Sequence, residues 1–181
     1  MGQRILALEL GGDRVRAAAA ERTYRTLDLV AVYEQERAED EPDLGGAVAR
    51  IVNAAGAPEI VISSLPGEFV AKRLLALPFT DRRRLQQVVA FALEEHLPFA
   101  VDDAIVAFAR VGRQAGETLV IAAAARREVV RDHLEMLARA GLDPKIVTLG
   151  TLALAEMLTR VRNGSGGAHL VVDIDSSCTS L

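Results

Sequence analysis

From Arg4 to Leu10 apolar and polar residues alternate, and the run stops at Gly11-Gly12, which predicts a strand ending in a tight turn. Val15 to Ala20 predicts a return strand and Thr26 to Tyr33 a third, so the chain opens with an antiparallel meander. The acidic stretch Glu34 to Asp43 reads as a solvated loop. Leu44, Val48, Ile51 and Val52 then recur at helical spacing, and Gly56 with Pro58 closes that helix. Ile60 to Ile62 is wholly apolar, as a strand inside a sheet should be.

After Ser63-Ser64-Leu65-Pro66-Gly67 the pattern restarts. Phe69 to Leu77 predicts a strand, and Asp81 caps a helix whose apolar face is Leu85, Val88, Val89, Ala92 and Leu93, with Pro98 as its stop. Ala104 to Val111 and Thr118 to Ala124 predict two strands joined through Gly112 to Gly116. Glu128 to Ala140 predicts a helix stopped by Gly141, and Lys145 to Leu149 a last strand. The order βαββαβ suggests a self-contained subdomain at 67–148, inserted into a first domain made of 1–66 and 149–181. Thr151 to Arg162 predicts a helix, Asn163 to Gly167 a loop and His169 to Ile174 a strand. That strand runs into a polar turn, Asp175 to Ser180, with no return strand expected, which suggests a chain broken off as a further domain begins at about 168–181.

Composition narrows the class. Half the residues are hydrophobic, yet Trp is absent and aromatics are 4%, so the core must be built from Leu, Val, Ile and Ala. The predicted class is α/β, helices stacked on mostly buried strands. A net charge of −4 argues against nucleic acid as the main partner, since binding phosphates needs a basic surface. The lone Cys178 cannot form an internal disulfide, suits a reducing compartment, and reads as a small buried hydrophobe. The longest run without a polar residue, Leu119 to Ala125, is far short of the ~20 residues of a spanning helix. Membrane association is therefore expected only through partners or a missing C-terminal helix.

Two segments look like copies of one device: an apolar strand with an acid near its end, then a turn of small residues. The first is Ile5 to Arg16, carrying Glu9, Gly11, Gly12, Asp13 and Arg16; the second is Leu170 to Thr179, carrying Asp173, Asp175, Ser176 and Ser177. In such a device backbone N–H groups cradle phosphate while the acid holds a metal-bound water. Two ordinary β-hairpins with Gly and Ser in their turns are the plainer alternative for either segment alone. With the subdomain between them, the chain resembles the actin-like (ribonuclease H-like) ATPase superfamily, and within it the PilM/GspL family. The stretch Leu77-Pro78-Phe79, through Glu94-Glu95-His96-Leu97-Pro98-Phe99 to Asp102-Asp103, is similar to that family's signature of a helix ending in an acid before a proline–phenylalanine pair.

The resemblance implies a nucleotide site at Glu9, Gly11, Gly12, Asp13, Arg16, Asp173, Asp175, Ser176 and Ser177, with ATP and magnesium as ligand if the site works. The residues depart from the family pattern. Glu9 stands for the first Asp, Gly12 for a phosphate-contacting Ser or Thr, and Asp175 for a Gly. Four carboxylates (Glu9, Asp13, Asp173, Asp175) would converge on an anion, and like charges at contact distance cost on the order of a few kcal/mol each at an effective dielectric near 20. Only Arg16 is there to offset one of them. A vestigial site and no enzyme activity are the expectation. By resemblance, the leading reading is a GspL-like cytoplasmic scaffold at the inner membrane. It would link platform proteins of the GspM or PilN type to the assembly ATPase of a type II secretion system. A partner's peptide is expected near Ser64 to Phe69 and Asp81 to Leu97. A PilM-type ATP-binding protein of type IV pilus assembly is the alternative, and an FtsA-like division protein a minor one. Arg82-Arg83-Arg84 opens a helix against its dipole and is either a solvated face or a meeting place for an acidic partner. His96, His133 and His169 lack metal-ligand spacing.

Overall fold

The structure, a computed structural model, describes residues 2–161, 170–174 and 179–180. The chain divides into two compact units, one made of 1–67 with 132–181 and the other of 68–131.

In the first unit, β1 (Gln3–Leu10), β2 (Arg14–Arg22) and β3 (Leu27–Glu36) form the expected antiparallel meander. β4 (Ile60–Leu65) runs parallel to β1 on its other side. The alternation of β1 puts Leu6, Leu8 and Leu10 on one face. There they pack against Val48 and Ile51 of α1 (Gly45–Ala55) and against Met136 and Leu137 of α3 (Arg127–Arg139). α1 ends where Gly56 takes φ +75°, a conformation side chains resist. The stretch read as an acidic loop is partly strand: β3 runs on to Glu36, because Glu34 and Glu36 sit opposite Arg16 and Arg14 on β2. Val30 is an extra residue in β3, a bulge between the Ala19–Ala31 and Ala20–Leu29 pairs. β3 is the outer strand of its sheet, and Leu27, Leu29, Val30 and Val32 along it are exposed.

In the second unit, β5 (Val70–Leu77), β6 (Ala104–Gln114) and β7 (Glu117–Arg126) form an antiparallel sheet in the order β5-β7-β6. α2 (Arg82–Glu94) covers one face through Leu85, Val89 and Leu93, which meet Leu77, Val120, Ala122 and Ala124. The Asp81 carboxylate accepts from the Arg84 N–H at 3.0 Å, the predicted cap. The loop expected from Gly112 to Gly116 shrinks to a two-residue turn. Ala115 (φ +49°) and Gly116 (φ +89°) make a turn whose handedness suits paired strands, and a bulge between Arg110 and Gly112 carries β6 on to Gln114.

The insertion is shorter than 67–148. The β-α-β-β-α-β order holds, but β8 (Ile146–Leu149) pairs in parallel with β4, completing a five-stranded sheet β3-β2-β1-β4-β8 in the first unit. α3 passes from one unit into the other, and its last turns supply core to the first. The pattern of β8 cannot reveal which sheet it joins, since apolar strands of four residues fit either. α4 (Gly150–Val161) follows. Near the end, β9 (Asp173–Ile174) pairs antiparallel with β10 (Thr179–Ser180), so a return strand is present where none was expected.

Candidate phosphate-loop cleft

The β1–β2 turn is closed by the Gly11 N–H donating to the Arg14 carbonyl at 2.9 Å, which sets Glu9 and Arg16 opposite each other on the two strands. Arg16 in turn faces Glu34 on β3. The result is a cross-strand row, carboxylate–guanidinium–carboxylate. Arg16 Nε donates to Glu34 Oε2 at 2.9 Å, and its Nη1 lies 3.7 Å from Glu9 Oε2. Beside it, Arg14 meets Asp13 at 3.1 Å, Glu34 at 3.2 Å and Glu36 at 3.6 Å. The hydrogen bond from Arg16 holds the Glu34 carboxyl below the usual glutamate range, and the bond to Asp13 pushes the Arg14 guanidinium up.

Glu9, Leu10, Arg16, Ser64, Gly67, Gly150, Thr151 and Asp173 are among the residues lining one small cleft of the first unit, about 40 Å³ in volume. That is room for roughly three waters. Two of the expected acids, Glu9 and Asp173, reach it with Arg16; Asp13 is turned to Arg14 instead. Gly11 and Gly12 form the turn itself, Gly11 buried and Gly12 exposed. Asp175, Ser176 and Ser177, like Cys178 and His169, lie outside the described residues. Among the described residues no three His, Cys, Asp or Glu gather to hold a metal. Of the four acids expected to converge, Glu9 and Asp173 line the cleft, Asp13 pairs with Arg14, and Asp175 lies outside the described residues.

Three features of the cleft were not read from the sequence. Glu34 pairs with Arg16; the signal was its place opposite Arg16 on β2, hidden by the bulge that shifts the register at Val30. Ser64 and Gly150 bring the ends of β4 and β8 into it. A Cβ added at Gly150 would lie 3.5 Å from Glu9 Oε1 and 3.9 Å from Ser64 Oγ. The start of α4, with no acid of its own in the first turn, is thus beside the Glu9 carboxylate. Ser63, one residue away, is fully buried and bonds to His133, so it faces the core.

In the second unit, Val70 to Arg73 of β5 and Glu95 to Pro98 line a broad shallow groove of about 700 Å³. β5 is an outer strand of its sheet, and His96 sits in this groove. No helix among the described residues is long and apolar enough to cross a membrane.

The two units, each with its own sheet, and the acid-bearing β1–β2 turn meet one further observation: the family model of the type IV pilus assembly protein PilM matches residues 20–181. The chain belongs to the PilM family. Among solved structures, the PilM-PilN type IV pilus biogenesis complex aligns at a TM-score of 0.71 with 22% identity, over 87% of this chain and 51% of that one. The cytoplasmic domain of EpsL, an inner-membrane component of the type II secretion system of Vibrio cholerae, aligns at 0.60 with 16% identity, over 81% and 57%. This PilM-family chain spans about half the length of the structures it matches. No curated protein sequence gives a significant match. The fold is of the expected α/β class, with a five-stranded sheet in the first unit and a three-stranded sheet in the second.

Proposed function

We propose that this PilM-family chain is a cytoplasmic scaffold at the inner membrane, receiving an extended peptide from a PilN-type membrane protein and linking it to the assembly ATPase. The observation that carries this is the family match over 20–181, joined to the groove beside β5. An outer strand is where an extended peptide can add to a sheet, while Arg73 and Glu95 offer charge for selectivity. The family match favours the pilus machine over the secretion machine that the degraded loops suggested. The nucleotide site reads as inherited architecture: Arg16 is held by Glu9 and Glu34, and the cleft is small. Calorimetry with the cytoplasmic peptide of the PilN-type partner tests the scaffold. Micromolar binding that weakens with Arg73→Glu is expected; the absence of binding would overturn it.

The second reading is a PilM-type ATP-binding protein. One observation favours it: Glu9, Arg16 and Asp173, from the two expected phosphate segments, do line the same cleft. Tight Mg-ATP binding by calorimetry would establish this reading and displace the view of a vestigial site.

A further inference from the structure

Five arginines collect at one end of the second unit. Arg82, Arg83 and Arg84 open α2, and three successive helical residues fan through about 200° of its circumference. Arg110 and Arg113 lie toward the β6–β7 turn. The strand register puts Leu77, Thr118 and Arg113 in one row, and Arg110 Nη1 approaches the Thr80 carbonyl at 3.4 Å, so the helix start and the hairpin share this end. All five are exposed. Arg82, Arg83, Arg84 and Arg113 have no side-chain ion pair among the described residues, whereas Arg14, Arg16, Arg50, Arg139 and Arg160 are each held by a carboxylate. Among the described residues, the acids on the same helix start and hairpin are Asp81, which caps the helix, and Glu117.

The cost of this arrangement is visible in α2. Its first turn carries cations at the positive end of the helix and its last carries Glu94, with Glu95 as the C-cap, at the negative end, the reverse of what the dipole favours. The charge is also segregated: residues 68–131 hold ten Lys and Arg against eight Asp and Glu, in a chain with 21 against 25 overall. A cluster held against helix stability and against the chain's own acidic balance points to an anionic partner. Its shape selects among them. Neither cleft described above is lined by these arginines, and the end is made of a helix start, a hairpin turn and the exposed Val111. Exposed arginines spread over a helix start and a hairpin turn suit an extended surface more than a peptide that needs a groove. Guanidinium forks match phosphate oxygens in pairs.

We propose that this arginine end docks directly on the anionic phospholipid surface of a membrane. The test is co-sedimentation of the full 181-residue chain with phosphatidylcholine vesicles, with or without phosphatidylglycerol, at low and high salt. Binding is expected only with phosphatidylglycerol, and raised salt should abolish it, since surface charges are screened beyond a Debye length. Each arginine near such a surface is worth about fivefold. Arg82→Gln, Arg83→Gln and Arg84→Gln together should therefore weaken binding at least tenfold, with unfolding midpoints at or above the parent's confirming an intact fold. A matched triple change at Arg22, Arg25 and Arg160 should leave binding unchanged. No binding to phosphatidylglycerol vesicles, equal loss in both triple variants, or capture of poly-glutamate with no capture of vesicles would each overturn the proposal, the last assigning the cluster to an acidic protein.

Discussion

Ser63 on β4 and His133 on α3, 70 residues apart in sequence, share a hydrogen bond of 2.9 Å between Oγ and Nε2, and both are buried. The pair ties the middle of α3 to β4 of the five-stranded sheet. Burial holds the His133 pKa below the ordinary histidine value. The unfolded chain therefore takes up this proton more readily than the folded one, so the stability tied to neutral His133 is full above the ordinary value near 6.5 and is lost as pH falls below it. Urea midpoints of the parent should drop between pH 7 and pH 5, and His133→Asn should flatten that dependence. Ser63→Ala leaves a buried ring nitrogen without its partner and should cost about 1–3 kcal/mol at pH 7.

Arg16 is the residue most exposed to a test of the cleft. If Glu9 and Glu34 together keep it from a phosphate, Glu9→Gln with Glu34→Gln should strengthen pyrophosphate binding at least tenfold in calorimetry. Unchanged binding would mean that the small cleft, and not the engaged cation, closes the site.

The reversed charges on α2 make an opposite prediction for stability. Arg82→Gln with Arg83→Gln relieves cations at the positive end of the helix and should raise the thermal midpoint by about 1–3 °C. A fall would show that these side chains are anchored in the fold.

At the β6–β7 turn, Ala115 takes φ +49°, the one described non-glycine residue with positive φ. Asparagine tolerates that conformation better, and Asn-Gly is the favoured pair for such a turn. Ala115→Asn should stabilise the chain by about 1 kcal/mol in chemical denaturation.

Local signals carried the meander, α1, α2 with its Asp81 cap, and the β1–β2 turn with Glu9, because each depends on residues close in sequence. What stayed hidden was long-range. β8 joins β4 across 80-odd residues, and nothing in Ile146 to Leu149 names that partner. The Ser63–His133 bond spans 70 residues. Glu34 reads as loop until β3 is placed against β2, and the Val30 bulge shifts by one which residue faces which. A Gly112 inside β6 reads as a turn signal, while the real turn is the neighbouring Ala115-Gly116.

The bulge at Val30 has a practical meaning of its own. β3 is an outer strand of ten residues with neither lysine nor proline, and exposed Leu27, Leu29, Val30 and Val32 run along it. Such a strand is a template onto which another chain can grow, and a local kink is among the few devices that keep it from doing so. Deleting Val30 would straighten the edge, so the price of a more regular sheet would be a protein that clumps on concentration.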